Sequence, residues 1–108
     1  MNKTRIAIFA SGTGSNAINL IGYFDNHPTI EIGFLLSNKS DAPVLNAAKE
    51  LGVTVVQHGN EEVAKGEFLV RLCQSHTIDW IVLAGYLRLI PGELIQKFEN
   101  NITKLNLR

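Results

Sequence analysis

The sequence has little of what marks secreted, membrane or nucleic-acid-binding chains. It contains a single cysteine, Cys73, so no disulfide can form within the chain, and this favours a reducing compartment. Ten basic residues balance ten acidic ones, which excludes a global electrostatic attraction to nucleic acid or to an anionic membrane. The apolar run from Ile6 to Ala10 is shorter than the roughly 7–15 residues of a signal-peptide core and the roughly 20 of a membrane span. These absences predict a soluble protein of the cytoplasm.

Proline is also scarce, with three residues in 108, and no linker, repeat or low-complexity segment divides the chain. A single domain over residues 1–108 is therefore expected. Short apolar runs alternate with stretches of helical periodicity. Strands are predicted at Ile6 to Ala10, Thr29 to Leu36, Val53 to Val56 and Trp80 to Ala84. Helices are predicted at Ala17 to Phe24, Val44 to Leu51, about Glu62 to Gln74 and Pro91 to Phe98.

This alternation with short connections predicts an α/β fold, in which a doubly wound, mostly parallel, Rossmann-like sheet lies between two layers of helices. Asp41 is expected to cap the second helix, and Gly52 to end it. Cys73 falls in the apolar pattern of the third helix, so it is expected to be a small buried residue. Ligands of such sheets bind beyond the carboxyl ends of the strands, where the strand order reverses.

The segment Ser11-Gly12-Thr13-Gly14-Ser15-Asn16 joins the first predicted strand to the first predicted helix. Glycines allow a tight turn and a close approach of the backbone, and the helix that follows offers free N–H groups and a positive dipole end. Ser15 and Asn16 add a hydroxyl and an amide at the first turn. The segment therefore predicts a site for a phosphate group.

The same loop satisfies a dinucleotide fingerprint, Gly12-x-Gly14-x-x-Ala17, so a nicotinamide-binding domain is an alternative. An NAD site requires an acidic residue at the end of the second strand to bind the ribose hydroxyls. This chain has Ser37, Asn38 and Lys39 there, which disfavours NAD. The three residues are compatible with the 2′-phosphate of NADP, so an NADP-binding Rossmann domain stays open.

The three histidines differ in their expected positions. His58 follows the third strand and is expected at the ligand side of the sheet, whereas His27 and His76 follow helices and are expected at the opposite side. No acid or nucleophile is apparent near His58, so it is interpreted as an ordinary loop residue. No spacing typical of metal ligands occurs, and no metal is expected.

Three motifs in this order and spacing resemble the glycinamide ribonucleotide formyltransferase family. They are Ser11 to Asn16, Ser37-Asn38-Lys39-Ser40-Asp41-Ala42, and Val82-Leu83-Ala84-Gly85-Tyr86-Leu87-Arg88. The resemblance covers roughly residues 5 to 100. It implies a formyltransferase of purine biosynthesis, which moves a formyl group from 10-formyltetrahydrofolate to the amine of glycinamide ribonucleotide.

The resemblance also implies roles for individual residues. The positions implied to bind the phosphate of glycinamide ribonucleotide are Gly14, Ser15 and Asn16. The positions implied to form the turn between the two ligands are Gly85 and Tyr86. The positions implied to line the folate pterin pocket are Leu87, Arg88, Leu89 and Ile90.

The catalytic residues of the family have no match in this chain. The family uses an Asn and a His of an Asn-Ile-His-Pro segment, with a later Asp; here Lys104 stands at the Asn position and Asn106 at the His position. The resemblance thus predicts the N-terminal, nucleotide-binding half of the fold, truncated after about the fifth strand. The 108-residue chain is expected to be catalytically incompetent, and a noncatalytic phosphate-ligand-binding or assembly module remains an alternative.

The final segment, from Ile102 to Leu107, alternates in a manner typical of a strand. An exposed sheet edge presents unpaired backbone groups to other chains. Self-association through this edge is therefore expected.

Overall fold

The computed structural model describes residues 3–105 as a succession of alternating strands and helices. The strands are β1 (Thr4–Phe9), β2 (Ile30–Ser37), β3 (Val55–Gln57), β4 (Trp80–Ala84) and β5 (Ile102–Leu105). The helices are α1 (Ser15–Tyr23), α2 (Pro43–Glu50), α3 (Asn60–Val63), α4 (Gly66–Ser75) and α5 (Gly92–Lys97). The predicted α/β alternation is confirmed. Of the strand predicted from Ile102 to Leu107, residues 106 and 107 lie outside the described residues.

The strands form one sheet in the order β3-β2-β1-β4-β5, and each pairing is parallel. At its centre, Ile8 of β1 pairs with Leu35 of β2 on one side and with Val82 of β4 on the other. The chain first moves outward from β1 through β2 to β3, and then returns to the other side of β1 with β4. The strand order therefore reverses between β1 and β4, which places the loops after these two strands side by side.

Helices cover both faces of the sheet, which confirms the predicted three-layer arrangement. On one face, α1 and α2 pack through Ala17, Ile21, Val44 and Ala48 against the β1 and β2 side chains Ile8 and Leu35. On the other face, the residues of α3, α4 and α5 pack against the opposite sides of the same strands; the fully buried members include Phe9, Phe34, Val63, Leu69, Cys73, Ile81 and Leu94. The prediction that Cys73 is buried is confirmed.

The predicted helix from about Glu62 to Gln74 is wrong, because α3 and α4 are separate helices. Lys65, between them, has the extended backbone angles φ −92° and ψ 108°. Val63 and Leu69 are both fully buried in the same cluster. In one continuous helix, residues six positions apart point roughly 120° away from each other. The break therefore allows both side chains to reach the core.

The predicted cap of α2 is also wrong. Ala42 is the N-cap residue, no side chain caps this helix, and Asp41 is exposed. Pro43 occupies the first turn, where its missing N–H costs nothing. The Ala42 N–H donates to the Lys39 carbonyl at 3.3 Å, so a tight turn lies where the capping residue was expected.

The sheet face that carries α1 has an open apolar hollow of about 450 Å³ beside β4 and β5. Its wall combines α1 side chains with strand side chains, among them Leu20, Phe24, Trp80, Val82 and Leu105. Within residues 3–105, no helix has both the length and the hydropathy needed to cross a bilayer.

Candidate functional site

The loop after β1 has the geometry of an anion-binding helix N-terminus. Gly14 is the N-cap residue of α1 and lies in the left-handed region at φ 72° and ψ 29°. Its carbonyl accepts the Ile18 N–H at 2.7 Å, which begins the helical hydrogen-bond pattern. The first N–H groups of a helix have no acceptor within the helix, and no acidic residue lies in the first turn of α1 to compete for them. The backbone donors of this turn are thus open to an anion.

Close packing imposes glycine at position 14 as strongly as the backbone angle does. A Cβ built on Gly14 would lie 2.0 Å from Val44 Cγ2 and 2.5 Å from Val44 Cβ. Val44 belongs to α2, is fully buried, and donates its N–H to the Gly12 carbonyl at 3.4 Å. The loop from Ser11 to Asn16 is called the phosphate loop below, after its predicted ligand. Helix α2 packs against this loop, and the absence of a side chain at Gly14 permits the contact.

The loop after β4 turns at Gly85, whose φ is 69°. The next residue, Tyr86, packs its ring edge against the Phe9 ring, with 5.3 Å between the ring centres. Its hydroxyl is buried and has no hydrogen-bond partner among residues 3–105. Burial raises the pKa of Tyr86 to about 12, although the Arg88 charge acts in the opposite direction. Tyr86 thus fixes the beginning of this loop to the core.

The rest of this loop lines an open cleft of about 440 Å³. Leu87 is 71% exposed and Leu89 is 92% exposed, so both side chains present apolar surface to a ligand. The complete wall of the cleft consists of Val63, Ala64, Leu87, Arg88, Leu89, Ile90 and Pro91. A cleft that combines apolar side chains, one cationic side chain and exposed polar groups suits a flat, partly polar organic ligand. The sequence does not predict Val63 and Ala64 in this wall, because its periodicity indicates one unbroken helix there.

The two loops meet at Ser11. The Ser11 N–H donates to the Gly85 carbonyl at 3.2 Å, and the Leu87 N–H donates to Ser11 Oγ at 2.9 Å. Ser11 Oγ in turn donates to Asn38 Oδ1 at 2.6 Å, and Asn38 Nδ2 donates to Asn60 Oδ1 at 2.9 Å. The phosphate loop, the end of β2 and the loop after β4 are thus held in one hydrogen-bonded unit.

This arrangement does not favour the NADP alternative. The side chains of Ser37 and Asn38 are buried, and Asn38 uses its amide oxygen and its amide nitrogen within the protein. They are not free to bind a ribose 2′-phosphate. Lys39 is exposed, and it would be the only one of the three residues after β2 with a side chain available for that role.

The histidines lie at the predicted edges of the sheet, but the expectation that no acid is near His58 is wrong, because Glu62 at the start of α3 reaches its ring. His58 follows β3 at the carboxyl edge of the sheet, its Nδ1 is 3.3 Å from Glu62 Oε1, and its ring meets the Phe68 ring edge-on. His27 and His76 precede β2 and β4 and lie at the opposite edge. Within residues 3–105, no three His, Cys, Asp or Glu side chains are grouped to hold a metal ion.

Comparisons with known proteins identify the family. The sequence pattern of the family described as "Formyl transferase" matches residues 4–107. The chain belongs to the formyl transferase family. This assignment agrees with the fold, because solved formyltransferases share the parallel, Rossmann-like sheet with helices.

Individual relatives of this formyl transferase chain carry more specific names. The chain is 30% identical over 111 residues to the chloroplastic phosphoribosylglycinamide formyltransferase of Arabidopsis thaliana, covering 96% of this chain and 38% of the relative. Solved phosphoribosylglycinamide formyltransferases are similar in structure. That of Streptococcus pneumoniae gives a TM-score of 0.77 at 34% identity, covering 96% of this chain and 56% of the other. The enzyme of Brucella melitensis gives a TM-score of 0.86 at 29% identity, and the match covers 95% of this chain and 56% of the other. The chain thus spans about half the length of these solved relatives.

Proposed function

We propose that the chain provides the substrate-binding part of a phosphoribosylglycinamide formyltransferase of purine biosynthesis. In this activity a formyl group passes from 10-formyltetrahydrofolate to the amine of glycinamide ribonucleotide. The observation that carries the proposal is the junction of two loops at the strand-order reversal, one shaped for an anion and the other lining a cleft of mixed apolar and polar character. The family assignment and the names of the relatives support the same conclusion.

The phosphate of glycinamide ribonucleotide is assigned to Gly14, Ser15 and Asn16. Gly14 exposes the N-terminal turn of α1, and Ser15 and Asn16 begin that helix with side chains able to donate hydrogen bonds. The helix dipole adds a partial positive charge there, even though the loop itself holds no cationic side chain. A phosphate monoester thus finds several donors that converge on one point.

The pterin of the folate is assigned to Leu87, Arg88, Leu89 and Ile90. These residues form most of the wall of the open cleft beside the loop after β4. Gly85 and Tyr86 form the turn between the two ligands, so the amine of the ribonucleotide and the formyl group meet in front of them. No metal takes part in this proposal.

A calorimetric titration with glycinamide ribonucleotide tests the phosphate assignment. The 108-residue chain should bind the ribonucleotide and should not measurably bind the corresponding nucleoside without phosphate. Asn16→Ala should weaken binding about tenfold or more, because a hydrogen bond to a charged group is lost. Asn19→Ala is the matched control, since Asn19 is exposed and lies further along the same helix. The affinity of this variant for the ribonucleotide should equal that of the wild type. Equal binding of nucleotide and nucleoside, or binding of NADPH alone, would contradict the assignment.

We further propose that the 108-residue chain alone does not transfer the formyl group. Lys104 stands where the family has its catalytic Asn, and it is exposed on β5, opposite Leu83 of β4. An ammonium group differs from an amide in shape and charge, although it too can donate to an oxyanion. The larger loss is at the position of the catalytic His, where Asn106 stands, because a side-chain amide does not take up and release protons near neutral pH. Asn106 lies outside the described residues. Turnover near 1 s⁻¹ or above by the purified chain would refute this proposal.

Self-association through β5 is also proposed. β5 pairs with β4 and, within residues 3–105, with no other strand. The Ile81 N–H donates to the Asn101 carbonyl at 2.9 Å, and in a parallel ladder successive N–H groups alternate in direction, so the Lys104 N–H points away from β4. A neighbouring chain finds a free donor there.

Sedimentation velocity at increasing protein concentration tests whether copies of the chain pair through the β5 edge. The wild type should form dimers or larger species, whereas Lys104→Pro should shift the population to monomer because proline removes the outward N–H. Lys104→Ala keeps that N–H and should associate like the wild type. A wild-type chain that stays monomeric over the whole concentration range would show that the edge does not pair.

A further inference from the structure

Ser11 is a fully buried polar residue at the end of β1, and the assigned binding roles do not include it. It lies three positions before Gly14 in the chain, so any shift of Ser11 moves the phosphate loop. Its side chain also accepts the N–H of Leu87, the first residue of the segment that lines the open cleft. Ser11 is therefore in direct contact with the backbone of both loops.

The hydrogen bonds around Ser11 run in one direction. A backbone N–H only donates, so Ser11 Oγ is the acceptor for Leu87. The 2.6 Å separation of Ser11 Oγ from Asn38 Oδ1 suits an O–H···O bond, in which the Ser11 hydroxyl donates. The Asn38 amide then has its oxygen toward Ser11 and its NH₂ group toward Asn60.

The central part of this hydrogen-bond network is buried, so its bonds are costly to break. Ser11 is 0% exposed and Asn38 is 6% exposed, so water does not replace a lost partner at either side chain. The residues at the two ends, Leu87 and Asn60, are exposed. The buried part of the network is thus the pair of side chains Ser11 and Asn38, and the Asn60 end contributes less.

We infer that Ser11 is a positioning residue, which ties the phosphate loop to the Leu87–Ile90 segment so that each ligand promotes the binding of the other. This inference rests on the proposed function, because it takes the two loops to bind two ligands. Binding of a phosphate at the loop restrains Gly14 and, through Ser11, the Leu87 backbone. The folate ligand then meets a segment that has already been ordered, and by linkage the effect is reciprocal.

Hydrogen exchange of the Leu87 amide tests the structural part without any ligand. The Leu87 N–H should be protected in the wild type, and Ser11→Ala should accelerate its exchange about fivefold or more, because the acceptor is removed. Asn60→Ala should leave the rate unchanged, because Ser11 and Asn38 keep their mutual bond. Unchanged exchange in Ser11→Ala would overturn the inference.

The coupling of the two ligands tests the functional part. The affinity for glycinamide ribonucleotide is measured by calorimetry with and without saturating tetrahydrofolate. In the wild type the folate should tighten ribonucleotide binding about fivefold or more, and in Ser11→Ala this ratio should fall to about one. A residue with a merely structural role would lower stability and leave the ratio unchanged.

A conservative variant separates the hydrogen bond from the volume of the side chain. Ser11→Thr keeps the hydroxyl that accepts from Leu87 and donates to Asn38, so it should retain most of the coupling. Independent binding of the two ligands by the wild type would overturn the inference. If the wild type binds neither ligand, the proposed function fails, and the exchange rate of the Leu87 amide then decides the positioning role by itself.

Discussion

A Gly14→Ala variant is expected to lose about 2–5 kcal/mol of unfolding free energy and all measurable affinity for a phosphate ligand. Two costs combine at this position. A left-handed backbone strains any residue with a Cβ, and the new methyl would lie 2.0 Å from a methyl of the buried Val44. The hydrogen bond from Val44 to the Gly12 carbonyl opposes the movement of α2 that would relieve the contact. Urea denaturation monitored by circular dichroism measures the loss.

Gly12→Ala is the matched control for this experiment. Gly12 lies in the same loop, its φ is outside the left-handed region, and a Cβ built on it meets no heavy atom within 4 Å. Its unfolding free energy should stay within about 0.5 kcal/mol of the wild type. Equal stability of the two variants would contradict the view that α2 supports the phosphate loop through Val44.

The second large effect is expected at alkaline pH. Burial raises the pKa of Cys73 from 9.0 to about 12, and burial likewise raises that of Tyr86 from 10.0 to about 12. At a pH between the unfolded and the folded pKa of each group, the unfolded chain releases a proton that the folded chain retains. The free energy of unfolding therefore falls as the pH rises. The stability due to each group is fully present below its unfolded pKa and is lost as the pH approaches its folded pKa. For a fully buried group the decrease is at most about 1.4 kcal/mol per pH unit, and the partly buried Tyr86 should contribute less.

Denaturation curves from pH 8 to pH 12 check this expectation. Cys73→Ala should flatten the decline above pH 9, and Tyr86→Phe should flatten it above pH 10. Tyr23→Phe is the control, because Tyr23 is 73% exposed and its removal should leave the slope as in the wild type. At neutral pH Tyr86→Phe should cost no stability, since it removes a buried hydroxyl without a partner among the described residues. A wild-type curve that stays flat to pH 11 would contradict the burial of both groups.

The fold could be predicted where local and tertiary preferences agree. β4 occupies the predicted residues, Trp80 to Ala84, because a nearly continuous apolar run suits a strand covered on both faces. β3 begins two residues later than predicted. The Val53 N–H donates to the Ala48 carbonyl at 3.1 Å, so this valine closes the turn that follows α2 and does not pair in the sheet, despite its strand propensity. The division between α3 and α4 depends on which side chains reach the core, and periodicity does not reveal that.

The site could be predicted in part for a similar reason. The glycines of the phosphate loop predict a backbone conformation that other residues rarely adopt, and the positive φ of Gly14 agrees with this prediction. The link from Ser11 through Asn38 to Asn60 could not be predicted, because it joins residues that are 27 and 22 positions apart. Such contacts depend on strand order, since they arise only when the ends of β1, β2 and β3 meet at one edge. The sequence makes Asn38 a candidate for binding a ligand, whereas the structure uses its side chain to join two loops.

Amide chemical-shift mapping on the 108-residue chain tests the central claim most directly. Glycinamide ribonucleotide should shift the amides of Gly14, Ser15 and Asn16, and tetrahydrofolate should then shift those from Leu87 to Ile90. Amides around His27 and His76, at the opposite edge of the sheet, should not move. Shifts at that opposite edge, or no shifts with either ligand at millimolar concentration, would contradict the assignment of both substrates to the junction between β1 and β4.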